Sequence, residues 1–298
     1  MKIVISGSTG LIGSALTRAL LDDGHTVTRL VRPGGPIGVG TIAWDPDQGV
    51  LDCAALENFD AVVHLSGQNL ASVKWTDENK KKLVESRTRS TRLLCGRLLR
   101  LNHPPRILIA ASATGYYGNR KDEELTEQSN PGTGFLAELT HEWEKASDTL
   151  IDSGIRLIRL RLGVVLASQG GALPRMVKPF KMGLGGKIGN GRQYISWVGL
   201  DDVVGIVKFI LDNEHIRGAV NAVAPTPVTN QDFTKALAGV LNRPAVATIP
   251  AFALRLLYGE MADETLLSST RVIPKVLQDA GYEFTDFELK KALKKYIG

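Results

Sequence analysis

The most constraining feature of this 298-residue chain lies at its start, where Gly7-Ser8-Thr9-Gly10-Leu11-Ile12-Gly13 follows the apolar run Ile3-Val4-Ile5. Beyond it, Leu11, Ile12, Ala15, Leu16, Ala19 and Leu20 recur at helical spacing up to Gly24. The pattern predicts a buried strand, a tight glycine turn and a helix. Each glycine has a mechanical reason: one permits the turn, one lets the backbone approach a pyrophosphate, and one lets helix and strand pack closely. The first helical N–H groups then face the anion. An isolated match of this kind is an ordinary glycine turn; a strand before it and a helix after it give it meaning.

The same alternation continues downstream. Strands are expected at residues 26–31, 41–44, 60–66, 106–111 and 155–166, with helices at 76–101 and 135–152 and a glycine- and proline-rich stretch at 33–40. After Ala167 glycines crowd in, at 170–171, 183, 185–186, 189 and 191, which reads as loops over a cleft. A last strand is expected at 218–224. Helices follow Thr229, span 252–257, and begin after a Thr285-x-x-Glu288 capping box. This predicts an α/β fold, a Rossmann doubly wound parallel sheet with a smaller, mainly helical C-terminal substrate domain. The boundaries expected are 1–166, completed by about 200–224, for the nucleotide-binding domain, and 167–199 with 225–298 for the smaller one. A substrate cleft is expected between them, at the carboxyl ends of the strands.

Composition narrows the class. The net charge of +5 is spread along the chain, and the cluster Lys80-Lys81-Lys82 with Arg87, Arg89 and Arg92 reads as a solvated helix face without interleaved aromatics, so nucleic acid is not an expected partner. No segment approaches the ~18 apolar residues a membrane span needs. Two cysteines, Cys53 and Cys95, make no disulfide framework, and with no signal peptide apparent a reducing cytoplasm is expected. The histidines are scattered, and His141-Glu142 lacks a second histidine at position 145, so no metal is expected.

The coenzyme follows from the end of the second strand. An NAD site offers an acidic residue there; this chain has none between Asp23 and Asp45 and places Arg32 at the position instead. A guanidinium suits a ribose 2′-phosphate, so NADP (NADPH) is expected. The bland alternative is that Arg32 is only solvated.

The motifs resemble the extended short-chain dehydrogenase/reductase superfamily, which contains the sugar-nucleotide epimerases and dehydratases. They are the glycine turn, His64-Leu65-Ser66-Gly67, Ser112-Ala113-Thr114-Gly115-Tyr116 and Trp197-Val198-Gly199-Leu200-Asp201-Asp202. Finer motifs are similar to an atypical, epimerase-family branch sometimes labelled cell-division-inhibitor-like: Lys74-Trp75, Ser86-Arg87, Gly185-Gly186-x-x-Gly189-x-Gly191-Arg192-Gln193 and Gly259-Glu260-Met261-Ala262. The resemblance implies that Val31 and Arg32 meet the adenosine end of the cofactor, Leu65, Ser66 and Gly67 its middle, and Val165 its nicotinamide side. It also places Arg87 where the superfamily usually has asparagine, in reach of cofactor phosphates or substrate. Leu65 and Val165 as plain core, and Arg87 as a solvated residue, are the competing readings.

The superfamily's Tyr-x-x-x-Lys pair is missing. The helix that should carry it reads Phe135-Leu136-Ala137-Glu138-Leu139-Thr140-His141-Glu142, and the literal match Tyr117-x-x-x-Lys121 falls in a loop. Two hypotheses stand. In one, the chain is an NADP-dependent oxidoreductase or epimerase-like enzyme in which Ser112 and Tyr116 position a carbonyl or hydroxyl. Arg161, Arg192, Gln193 and Trp197 would then contact a small carbonyl, anionic or sugar-like substrate, and Glu138 or His141 are further proton-transfer candidates. In the other it holds NADPH without turnover and signals to a protein partner. Arg161 as a buried hydrogen-bonding residue, Arg192 as a loop cap and Trp197 as core are the structural alternatives.

Overall fold

The computed structural model describes residues 1–35 and 38–298; Pro36 and Ile37, inside the glycine- and proline-rich stretch, lie outside the described residues. In chain order it begins β1 (Lys2–Ser6), α1 (Leu11–Asp22), β2 (Thr26–Val31), β3 (Thr41–Asp45), β4 (Val50–Leu51), β5 (Ala61–His64), α2 (Asp77–Leu98) and β6 (Ile107–Ala113). It continues β7 (Glu124–Leu125), α3 (Phe135–Lys145), β8 (Arg156–Leu162), β9 (Val164–Leu166), α4 (Leu173–Lys181), β10 (Gly186–Ile188), β11 (Tyr194–Ile195), β12 (Trp197–Gly199) and α5 (Leu200–Asp212). The last part is β13 (Gly218–Ala222), β14 (Val228–Thr229), α6 (Asn230–Leu241), β15 (Ala247–Ile249), α7 (Ala251–Tyr258), β16 (Arg271–Val272), α8 (Lys275–Asp279) and α9 (Leu289–Ile297). Two compact units result: Met1–Ser112 with Leu139–Leu160 and Ile206–Val220, and Ala113–Glu138 with Arg161–Gly205 and Asn221–Gly298.

The large sheet has the order β13-β8-β6-β5-β1-β2-β3-β4. The pairs β1–β2, β1–β5, β2–β3 and β5–β6 are parallel, and the short β4 closes one edge antiparallel to β3. Alternating side chains on these strands point to opposite faces. Val4, Val62, Leu108 and Ala110 share a core with Leu94, Cys95 and Leu98 of α2. Their neighbours Ile3, Ile5, Ala61, Val63, Ile107 and Ile109 are equally buried. Both faces are therefore covered, as parallel sheets require, and the doubly wound Rossmann arrangement follows. Burial also disposes of Cys95 as a nucleophile, because it pushes the thiol up to about 12.

Three local expectations are corrected. The run 155–166 is two strands, not one. At Gly163 a Cβ would lie 2.7 Å from the Ser196 carbonyl oxygen and 2.8 Å from Val223, so only glycine allows the chain to break there, and β9 pairs instead with β12. The helix expected over 135–152 stops at Lys145, where the Ser147 hydroxyl donates to the Glu144 carbonyl at 2.6 Å and a short 3₁₀ turn follows. The Thr285 capping box does not form: Glu288 caps α9, without a side-chain bond.

Thr285 is committed elsewhere, and the reason organises the second unit. Asp202, in the first turn of α5, is buried, and its Oδ1 accepts from the Thr285 amide at 2.9 Å, the Thr285 hydroxyl at 3.0 Å and the Tyr282 hydroxyl at 3.2 Å. Its Oδ2 accepts from the Asp286 amide at 2.8 Å, while Asp286 accepts from Tyr296 of α9 at 2.8 Å. One carboxylate thus pins the segment leading into the last helix onto α5. That helix packs with α6, through Leu289, Ala292 and Leu293 against Phe233 and Leu237. Four two-stranded ladders, β10–β15, β11–β14, β12–β9 and β16–β7, brace the same unit. Removing the carboxylate leaves the buried Asp286 amide without this acceptor, at a cost of about 1–3 kcal/mol, and releases the part-buried bonds from Thr285 and Tyr282 as well. Asp202→Ala is expected to lower stability by about 2–4 kcal/mol in thermal or urea denaturation. An unchanged midpoint would contradict the pinning role.

Candidate functional site

Gly7, with φ +69°, turns the chain out of β1, and the Gly10 amide closes the turn on the Gly7 carbonyl at 3.0 Å. Gly10 then caps α1 in an extended conformation, so Leu11, Ile12 and Gly13 contribute the first helical amides, which have no acceptor a turn earlier. A Cβ on Gly13 would sit 2.2 Å from the Gly7 carbonyl oxygen, and one on Gly7 would sit 2.8 Å from the Leu65 carbonyl. Turn, helix and the end of β5 touch backbone to backbone. This leaves a ring of N–H groups open to an anion.

Above this contact is a cavity of about 850 Å³, at the carboxyl ends of the strands where the sheet order reverses between β1 and β5. Gly7, Ser8, Thr9 and Gly10 line it from the turn, Val31 and Arg32 from the end of β2, and Leu65, Ser66, Gly67 and Gln68 from the end of β5. Further residues that the sequence reading did not assign also line it: Trp44 and Asp47 near β3, and Lys82, Glu85, Ser86 and Arg89 on α2. Positions 82, 85, 86 and 89 form one helical stripe. Lys82 and Arg89 are exposed, as a solvated basic face predicts, and that face borders the cavity. Arg32 forms an ion pair with Asp47 at 3.2 Å, half-exposed on both sides and therefore weak.

Beneath the cavity floor lie two buried basic groups. His64, the last residue of β5, is fully buried, with Nδ1 2.6 Å from the Ser6 hydroxyl and Nε2 3.1 Å from that of Thr91, and its ring meets Trp44 edge-on. Ser6 Oγ also accepts the Leu65 amide at 3.2 Å, tying β1 to β5 just below the turn. Arg87 does not line the cavity. It is buried on α2, donating to the carbonyls of Leu83 at 2.9 Å and Gln68 at 2.7 Å, with its guanidinium 5.1 Å from the Trp143 ring. It is buried rather than solvated, and lies outside the residues that line the cavity.

The catalytic and substrate candidates fare differently. Ser112 is buried in the first unit and its hydroxyl donates to Glu144 Oε1 at 2.6 Å, which ties β6 to α3. Its proton is directed toward α3. Glu144 was not singled out from the sequence; it lies one turn beyond Thr140, on the helix that carries the candidates Glu138 and His141. In the second unit, Arg161 is buried, donates to the Tyr117 hydroxyl at 2.9 Å and lies 3.5 Å from the centre of the Tyr116 ring. Tyr117 in turn donates to Asn221 Oδ1 at 2.7 Å, and burial pushes its phenol up to about 12. Gln193 donates to the carbonyls of Ile188 and Leu266, both at 3.2 Å, and the fully buried Trp197 donates to the Thr226 carbonyl at 3.1 Å. All three side chains are buried and hydrogen-bonded within the second unit; of the four substrate candidates Arg192 alone is exposed. Val165 is half-buried in β9, paired with Val198. Tyr117 sits in a 3₁₀ turn and Lys121 in a left-handed bend, so they share no helical face.

A glycine-turn cradle at the switch point of a doubly wound sheet defines the dinucleotide-fold class of the extended short-chain dehydrogenases/reductases. The family model "NAD dependent epimerase/dehydratase family" matches residues 3–222, and a domain of unknown function, DUF1731, matches 249–296. The chain belongs to the NAD-dependent epimerase/dehydratase family. It is 43% identical over 291 residues to epimerase family protein Mb2239 of Mycobacterium bovis, covering 98% of this chain and 96% of that one. It is 34% identical to the human epimerase family protein SDR39U1 over the whole of both. The crystal structure of the human protein (isoform 2) with NADPH matches with a TM-score of 0.90 at 33% identity, covering 100% and 99% of the two chains. A nucleoside-diphosphate sugar epimerase from Corynebacterium glutamicum matches with a TM-score of 0.84 at 34% identity, covering all of this chain and 58% of that one. Among the described residues no helix is long and apolar enough to cross a membrane.

The His64 network makes a prediction about pH. Burial pushes its imidazole down to about 4, whereas an unfolded histidine titrates near 6.5. Between those values the unfolded chain binds the extra proton, so stability contributed by this site falls as pH drops from about 6.5 to about 4, by about 3 kcal/mol. Urea denaturation across that range is expected to show a shallower slope for His64→Gln than for the parent chain. Identical slopes would contradict the assignment.

Proposed function

We propose that the first-unit cavity binds NADP(H) and that the chain is an oxidoreductase or epimerase-like enzyme for a small carbonyl or sugar-like substrate. The observation that carries the reading is the cavity itself: open helix-terminal amides at one end and Arg32, at the end of β2 where a ribose-binding acid is absent, at the other. Its volume falls in the range of cofactor sites. The glycine contacts fit the group, since a Cβ on Gly7 or Gly13 would drive the backbones apart and close the cradle. The amides of Leu11, Ile12 and Gly13 would hold the pyrophosphate, and Arg32 the 2′-phosphate, while Leu65 and Ser66 support the middle. When bound, the coenzyme supplies a hydride donor or acceptor. The NADPH in the crystal structure of the human relative supports the same choice.

This chain's residues hold and orient, and the Ser112 hydroxyl is itself held by its bond to Glu144. In the second unit the exposed Arg192 remains the candidate for gripping an anionic substrate. That same Ser112–Glu144 bond favours a second reading, a non-catalytic NADPH-binding regulator acting through a protein partner. Single-turnover oxidation of bound NADPH against a panel of carbonyls and nucleotide sugars separates the two. Oxidation by any member supports the enzyme, and silence throughout supports the regulator.

Coenzyme choice is tested by titrating NADPH and NADH against cofactor fluorescence. Arg32→Ser is expected to weaken NADPH roughly 10- to 100-fold, the worth of a charge-assisted contact, and to leave NADH within a few-fold. Asp47→Asn, which frees Arg32 from its ion pair, is expected to tighten NADPH a few-fold. Equal losses for both coenzymes in Arg32→Ser would contradict the 2′-phosphate assignment.

A further inference from the structure

The charges around the cavity are mostly cancelled. Arg32 pairs with Asp47 at 3.2 Å, Arg89 with Glu85 at 3.1 Å, and Lys82 with Glu78 at 2.5 Å. Arg87 is the exception. It is 6% exposed, no carboxylate among the described residues forms an ion pair with it, and its Nε is buried without any hydrogen-bond partner. Burial alone pushes its guanidinium down to about 10, so it stays charged at neutral pH. A buried cation without a counter-ion is unfavourable by several kcal/mol in real proteins. Its two carbonyl partners and the Trp143 ring offset only part of that.

The location of this charge gives it a use. Gly67 lines the cavity, and a Cβ placed on it would lie 3.5 Å from both Cζ and Nε of Arg87. The guanidinium thus lies directly against the backbone of Gly67, a residue of the cavity wall. The bond from Nη2 to the Gln68 carbonyl also draws that oxygen toward the arginine.

We propose that Arg87 is the buried counter-charge for the pyrophosphate of a dinucleotide in this cavity, acting through the backbone of Gly67 and Gln68 without touching the ligand. The inference rests on the dinucleotide reading above and deepens it. Two functions are divided between two arginines: Arg32, at the exposed end, selects for the 2′-phosphate, whereas Arg87 favours the doubly negative bridge common to NADPH and NADH. In this low-dielectric floor salt screens the charge poorly, unlike the pairs at the rim. Arg87 is thus a positioning residue for the coenzyme.

The test compares the parent chain with Arg87→Met, Arg87→Gln and Arg87→Lys by calorimetric titration of NADPH and NADH and by thermal denaturation without ligand. The neutral variants are expected to bind both coenzymes on the order of tenfold more weakly, by the same factor for each. Their ligand-free melting points should be unchanged or higher, because a cation without a counter-ion has been removed. Arg87→Lys, which keeps the charge, should retain most of the affinity. A loss confined to NADPH, an unchanged affinity in a folded neutral variant, or failure of both neutral variants to fold would overturn the proposal. If the parent chain itself binds neither coenzyme, the dinucleotide reading fails and this inference with it. If the parent binds and the variants bind equally well, only this inference fails.

Discussion

Three stretches of backbone come together where no side chain fits: the carbonyl of Gly7, the Cα of Gly13 and the carbonyl of Leu65. That contact fixes the first turn of α1 against β1 and sets the height of the β5 end beside it. The cavity, its open amides and the placement of Arg32 all depend on it. The polar network below serves the same contact, since Ser6 and His64 tie the two strand ends together where ordinary apolar packing would leave the Leu65 amide with one fewer acceptor. Burying a histidine there accepts an acid-labile element as the consequence.

The second unit applies polar groups differently. Asp202, Gln193 and Arg161 lie inside it and satisfy backbone or side-chain groups of segments far away in sequence. Glu127 belongs to the same interior: its Oε1 accepts the amides of Asn221 at 3.0 Å and Val276 at 3.3 Å, and burial raises its pKa. With short ladders and few long helices, this unit depends on such bonds to fix its loops. The motif containing Trp197 and Asp202 is accordingly a structural joint in this chain.

The strand–turn–helix start, the alternation behind it and the end of β2 at Arg32 were legible because local periodicity and turn chemistry decide them. What could not be read was the partner of each polar side chain. Nothing in the local sequence says that Thr285 answers Asp202 rather than capping α9, or that the hydroxyl of Ser112 meets Glu144 across a helix. The break at Gly163 has the same origin, because its cause is the carbonyl of Ser196, which is remote in sequence. Arg87 and Arg89 look alike in the chain, yet two positions along a helix turn one into the core and the other toward the cavity. A motif thus names a polar residue without naming its partner, and the partner comes from segments remote in sequence.

Hydrogen–deuterium exchange with and without NADPH tests the central claim directly, because the cradle is made of backbone amides. The account predicts slowed exchange on coenzyme addition concentrated in peptides covering Gly7–Gly13 and Leu65–Gln68. Saturating NADPH with no added protection in those peptides, or with protection elsewhere only, would contradict it.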